Sequence, residues 1–202
     1  MGSRGKYKMT MLVTGGNRGL GLTLVNHFSA DSISRADGLD ITKDTKAIAE
    51  RSLDYDVFVN NAFDGPPQEE WANFGQVQVL HEVYTLWKAN NKKGHIINIG
   101  SVGERTIVAP EPSFETYRVA KAALKHASLQ SSRAFKDNLV QFKTTLLTLD
   151  RLDTELTRSR ASWTGNGVDC NNVCDQIAII LSLNSNSCIE EIVTSVNFNF
   201  SD

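Results

Sequence analysis

The chain has 202 residues, 41% hydrophobic and 22% charged, with a formal net charge of −2. That size and balance suit one domain with a full core and exclude a disordered or low-complexity chain. Charges of both signs are mixed, with no basic stripe to suggest nucleic acid, and the longest apolar runs, such as Ile177–Leu181, are too short to span a membrane.

Met1–Lys8 is polar and basic, without the apolar core of a secretory signal, so a cytoplasmic protein is expected. Met9–Val13 is a short apolar strand that runs into Thr14–Gly21, T-G-G-N-R-G-L-G. An amphipathic helix is predicted over Leu20–Phe28, with Leu22, Leu24, Val25 and Phe28 facing inward. Strand, glycine-rich turn and helix together make a phosphate site. The glycines let the backbone approach a pyrophosphate, and the helix N-terminus offers unpaired N–H groups and positive potential. Gly15, Asn17, Arg18, Gly19, Leu20 and Gly21 are the candidate residues.

Asp31–Arg35 reads as a second strand, and Arg18 and Arg35 could converge on one phosphate. A helix is predicted over Lys43–Arg51 with Thr42 as N-cap. Asp56–Ala62, D-V-F-V-N-N-A, is a clear strand. A loop with Gly65-Pro66-Pro67 follows, then a long helix over roughly Trp71–Asn90.

His95–Ile99 is β-branched and apolar between Gly94 and Gly100, as in a buried parallel strand. It delivers Ser101 to the C-terminal edge, where open α/β sheets bind ligands. Tyr117 and Lys121 fall at i, i+4 on a helix predicted to reach Phe135, so phenol and ammonium share a face. A lysine there is expected to lower the phenol's pKa toward neutrality, as a general acid/base needs. Pro110 and Pro112 stiffen the intervening loop, which could cover a substrate. A strand at Val140–Leu149, a polar loop at Arg158–Gly167 with Trp163 as its large apolar group, a helix at Val168–Leu183 and a last strand at Ile189–Phe198 complete the chain. Cys170, Cys174 and Cys188 lack a nearby His pair and read as free thiols, so no metal is expected.

The spacing G-x-x-x-G-x-G at Gly15, Gly19 and Gly21 after Thr14, with Ser101, Tyr117 and Lys121, resembles the short-chain dehydrogenase/reductase family. Landmarks in family order extend the resemblance over nearly the whole chain. It implies an α/β Rossmann fold, one NAD(P)-binding domain over residues 1–202, with a doubly wound seven-stranded parallel sheet flanked by helices. Asp40 and Ile41, in G-L-D-I-T, match the family's D-V/I-T after the third strand and would sit beside the adenine. They follow Arg35 so closely that the usual preceding helix is absent or collapsed to a turn.

The resemblance further implies that Asn61 and Ala62 line the cofactor edge, while Phe63 stands where the family carries glycine. Asn73 lies about where the family's fourth catalytic residue holds a water that links the lysine to solvent. Arg35 and Arg18 imply NADP(H) in preference to NAD(H), with Asp37 keeping NAD open. Leu149-Asp150 replaces a Pro-Gly pair, Thr154 keeps the threonine that bonds the nicotinamide carboxamide, and the backbone of Leu152 joins that contact. The helices from Trp71 and Tyr117 form the family's dimer contact, implying a homodimer or homotetramer.

The expected activity is NADP(H)-dependent interconversion of a carbonyl and an alcohol on a small molecule. Tyr117 would donate the proton, Ser101 would stabilise the carbonyl oxygen, Lys121 would tune the tyrosine and bind the nicotinamide ribose, and Asn73 would complete the relay. The competing reading is a non-catalytic nucleotide-binding sensor or assembly partner on the same fold, favoured by Phe63 and the missing Pro-Gly. An epimerase or dehydratase using the same cofactor is a third.

Overall fold

The structure is a computed structural model that describes residues 9–63, 74–105, 115–160 and 165–196. Its strands are β1 (Met11–Thr14), β2 (Asp31–Ile33), β3 (Val57–Asn60), β4 (Gly94–Ser101), β5 (Phe142–Leu149) and β6 (Glu191–Thr194). They form one parallel sheet in the order β2-β1-β3-β4-β5-β6. The helices are α1 (Gly19–Phe28), α2 (Thr45–Ser52), α3 (Gly75–Ala89), α4 (Glu115–Lys136), α5 (Glu155–Arg158) and α6 (Cys170–Ser182).

Strand alternation sorts the core into two layers. Met11 and Val13, Val57 and Val59, Ile97 and Ile99 pack on one face with Leu20 and Leu24 of α1 and Val173 and Ile177 of α6. Leu12, Phe58, Ile96 and Phe142 point to the other face, against Ile48 of α2, Val83 and Trp87 of α3 and Leu124 of α4. Period-two side-chain direction in runs apolar at nearly every position lets both faces be buried at once. On α1 the inward set is Leu20, Gly21 and Leu24, while Leu22, expected inside, is 42% exposed.

Among the described residues the sheet has six strands, not the expected seven. The strand expected before Asp40 does not form, and β2 is the sheet edge. Between β2 and α2 the chain makes a 3-10 turn at Arg35–Asp37, passes through Gly38 at φ 82°, and then folds on itself. The Asp40 carboxylate accepts from the amide and hydroxyl of Thr42 at 2.8 and 2.7 Å, and Asp44 accepts from the Asp40 amide at 2.8 Å. These bonds occupy groups that a ladder would need. A parallel crossover takes about a dozen residues or more, and stretch 34–44 is too short to cross over and return. Helix α2 accordingly begins at Thr45 with Asp44 at its N-cap, not with Thr42.

The sense in which successive strands are added reverses between β1 and β3, with β2 to one side and β4 to the other. Ligands in open α/β sheets bind outside the strand ends at such a point. Thr14, Asn60 and Ser101 end the strands there.

Candidate active site

The glycine loop is fastened to both neighbouring strands. The Gly15 amide donates to Ile33 O at 2.7 Å, tying the loop to β2. On the other side, the Thr14 hydroxyl accepts from the amides of Asn61 and Ala62 at 3.0 and 2.9 Å, and the Asn61 side chain donates to Thr14 O at 2.9 Å. Gly15 has φ 73°, a left-handed conformation that suits glycine. A Cβ on Gly21 would lie 2.0 Å from Gly15 O, so the first turn of α1 can sit under the loop only because that position is glycine. Arg18 stands at the N-cap of α1 with no side-chain capping bond, and Leu20 is buried beneath. The result is a glycine loop at a helix N-terminus, an arrangement whose amides and potential suit an anion.

At the end of β2, Asn17 donates to the Ser34 hydroxyl at 2.7 Å, and Ser34 donates to Asp37 at 2.7 Å. The Asp37 carboxylate is therefore tied through Ser34 to Asn17 of the glycine loop. Burial pushes the Asp40 carboxyl up, but its bonds from Thr42 and the charges of Arg35 and Lys43 leave it below the usual carboxylate range. Ile41 is a core residue packed near Gly75 at the start of α3.

Beyond β5, Asp150 has a structural task. Its carboxylate accepts from the amides of Arg151 and Val196 at 2.7 and 3.2 Å, closing the ends of β5 and β6. Leu152 bridges to Val168. Thr154 caps α5, its hydroxyl 2.8 Å from that of Thr157, and its methyl group would lie 3.4 Å from a Cβ on Gly19. The segment that replaces Pro-Gly thus still brings Thr154 against the glycine loop.

Ser101 and Tyr117 meet across the end of β4. Both border Gly103, where a Cβ would lie 3.2 Å from the Ser101 oxygen and 3.4 Å from the Tyr117 ring, and the Ser101 oxygen accepts from the Gly103 amide at 3.1 Å. An ion network anchors the turn that follows Ser101. Lys125 of α4 holds Glu104 and Glu191 at 2.9 and 3.0 Å, and Glu191 also accepts from Thr148 at 2.6 Å. Strands β5 and β6 and helix α4 are joined there behind the serine.

Lys121 lies one turn beyond Tyr117, is only 5% exposed, and donates to Gln76 Oε1 at 2.6 Å and Ile99 O at 2.9 Å. The ring of Phe63 covers it at 5.2 Å and meets the Tyr117 ring edge-on at 4.9 Å. Asn73 lies outside the described residues, as do Pro110, Pro112 and Trp163.

This enclosure reverses one expectation. Burial pushes Lys121 down to about 7. Burial also raises the Tyr117 phenol above its ordinary 10, against the Ser101 hydrogen bond and the charge of Arg160, which both lower it. A lysine at about 7 is already neutral where such a phenol titrates, so it does not bring the tyrosine toward neutrality. Desolvation favours the uncharged form of each group and outweighs their proximity.

Gln76 bonds Lys121 and the charge of Arg160 acts on Tyr117, and neither is among the residues expected from the sequence. Gln76 left a signal: it stands on the buried stripe of α3 with Val79, Leu80, Val83 and Trp87, a polar residue in an apolar register. Arg160 left none, because its approach to Tyr117 depends on how the chain folds back after β5.

No family model matches this sequence, and no curated protein does. Solved structures do. A short-chain dehydrogenase from Burkholderia cenocepacia J2315, in complex with NADP, superposes with a TM-score of 0.73 at 20% identity, over 94% of this chain and 89% of that one. A 3-ketoacyl-(acyl-carrier-protein) reductase from Brucella melitensis, complexed with NADH, gives 0.70 at 18%, over 95% and 97%. A gluconate 5-dehydrogenase from Burkholderia cenocepacia J2315, in complex with NADP and tartrate, gives 0.68 at 18%, over 92% and 93%. At these identities the likeness is one of architecture: the chain has the fold of the short-chain dehydrogenases.

Proposed function

We propose that the chain is a short-chain dehydrogenase/reductase that uses NADP(H) to interconvert a carbonyl and an alcohol on a small molecule. The observation that carries this reading is the pairing of Ser101 and Tyr117 about Gly103, with Lys121 one turn on, at the sheet edge that also bears the glycine cradle. A bare nucleotide binder has no use for all three.

The nicotinamide, when bound, supplies or accepts the hydride. The cradle from Gly15 to Gly21 would hold its phosphates, and Arg18 and Arg35 favour a 2′-phosphate. Asp37, held by Ser34, is the group that keeps NAD(H) open. Thr154 would meet the carboxamide. The Tyr117 hydroxyl gives its proton to the carbonyl oxygen in reduction and takes it back in oxidation. Ser101 donates to that same oxygen as charge develops on it. Lys121 positions the cofactor ribose. Arg160 adds positive potential near the phenol, which favours the phenolate. A homodimer or homotetramer through α3 and α4 accompanies this reading, and light scattering checks it.

The test is titration of the purified protein with NADPH and NADH, followed by reduced-nicotinamide fluorescence. Selective NADPH binding supports the reading, and failure of both nucleotides to bind overturns it. One observation favours the second reading, a non-catalytic sensor or assembly partner: Phe63 covers the lysine and tyrosine that catalysis would need. A nucleotide bound with no turnover in a carbonyl-substrate screen would favour it.

A further inference from the structure

Protonated, Lys121 would be a buried cation, yet among the described residues the acceptors it meets are neutral. One of them, Gln76, is 2% exposed and is itself held on every side. Its Nε2 donates to Asn60 O at 2.9 Å and to Ile99 O at 3.4 Å. Its backbone carbonyl accepts from Asn60 Nδ2 at 2.8 Å, and the same Nδ2 reaches Asn98 at 3.0 Å. Helix α3 and strands β3 and β4 are thus joined through a single side chain.

This bonding fixes which way the amide points. Turned over, it would set its oxygen against two carbonyl oxygens and its NH2 against the ammonium. The observed orientation presents Oε1 to Lys121, its one acceptor contact among the described residues. The remaining side of Lys121 is covered by the Phe63 ring. Tyr117, with its ring centroid 5.7 Å from Nζ, is the titratable neighbour the structure records.

We propose that Gln76 is the positioning residue for Lys121, bonding the ammonium directly where the family pattern uses an asparagine and a bound water. This deepens the reading above and rests on it for the purpose of the lysine, while the contact itself stands without a nucleotide. Lys121 is then located by the sheet rather than by solvent. An amide oxygen on its ammonium favours the charged form, so Gln76 opposes the burial that drives the lysine toward neutrality.

The experiment is an NMR pH titration of the intact protein without nucleotide, reading Lys121 Cε and the Gln76 side-chain amide. In the wild type both signals are expected to move with one common midpoint, near 7. Gln76→Met, nearly equal in shape and without the acceptor, should lower the Lys121 midpoint by about one pH unit. Gln76→Asn, one methylene shorter, should recover part of that shift. A purely structural glutamine would lower the melting temperature of Gln76→Met and leave the Lys121 midpoint in place, which would overturn the proposal. So would a wild-type Gln76 amide that does not respond as Lys121 titrates, a result that needs no variant to fold. Neither result bears on nucleotide binding, so loss of this inference is separable from loss of the functional reading.

Discussion

The two halves of the site are built by opposite means. At the glycine loop the groups on offer are backbone amides and a helix end, fastened to β2 and β3 by Thr14, Asn61 and Gly15 and left partly open. At the Ser101 end the working groups are side chains, enclosed by Phe63 and Gln76, with the phenol raised and the lysine depressed by burial. Backbone donors cannot titrate, so packing around them costs no chemistry. Side-chain acids and bases are displaced by the walls that position them.

Variants on either side should therefore fail differently. Tyr117→Phe should have the largest effect, cutting turnover by about 10²–10⁴-fold while NADPH affinity stays close to wild type. Steady-state kinetics beside a fluorescence titration checks this, and wild-type rates would remove Tyr117 as the acid. Gly21→Val puts a side chain into Gly15 O and should weaken both NADPH and NADH by about a hundredfold or more, with a lower melting temperature. Calorimetry on both nucleotides reads that loss.

Arg35→Ala sharpens the comparison within the open half. NADPH affinity should fall by about tenfold, and NADH by roughly twofold or less. Equal losses would mean that Arg35 does not meet a 2′-phosphate. In the enclosed half, Phe63→Gly should let water reach Lys121, so that its midpoint climbs from about 7 toward 10.5. NADPH should bind about threefold to tenfold tighter, because no ring has to leave the lysine. An unmoved Lys121 midpoint would show that Phe63 does not close this wall.

The smallest effect lies outside the site, at another buried base. His95 in β4 bonds Thr145 at 2.8 Å, and burial, with Lys143 nearby, pushes its pKa from 6.5 down to about 4. Between those values the unfolded chain binds a proton that the folded chain refuses, so stability falls as pH drops through that window and levels off below it. His95→Gln should flatten the profile of urea midpoint against pH there. Lys121 has the same sign in a higher window, with stability rising as pH climbs from about 7 to 10.5.

Much of the fold was legible in the sequence because it rests on local rules. Met9–Val13 and His95–Ile99 are largely apolar runs; β1 takes up the first from Met11, and the second lies wholly within β4 of the buried parallel sheet. The loop at Thr14–Gly21 was legible because glycine positions report backbone conformation directly. The missing edge strand was not, although its cause was in view. A motif match at Asp40 implied the strand before it, whereas the short stretch 34–44 and the side chains of Asp40 and Asp44 made turns instead.

The sequence by itself determined the strand order of chemistry along the chain: a glycine cradle, a serine ending a strand, and a tyrosine and lysine one helical turn apart. Periodicity and glycine placement act over a few residues, and such patterns are written in the chain. Tertiary structure alone decided the company those groups keep. Gln76 reaches Lys121 from another helix, Phe63 closes over it from the end of β3, and Asp150 turns to the strand ends. Burial then sets the charge of Lys121, because desolvation depends on what surrounds a group in space and not on its neighbours in sequence.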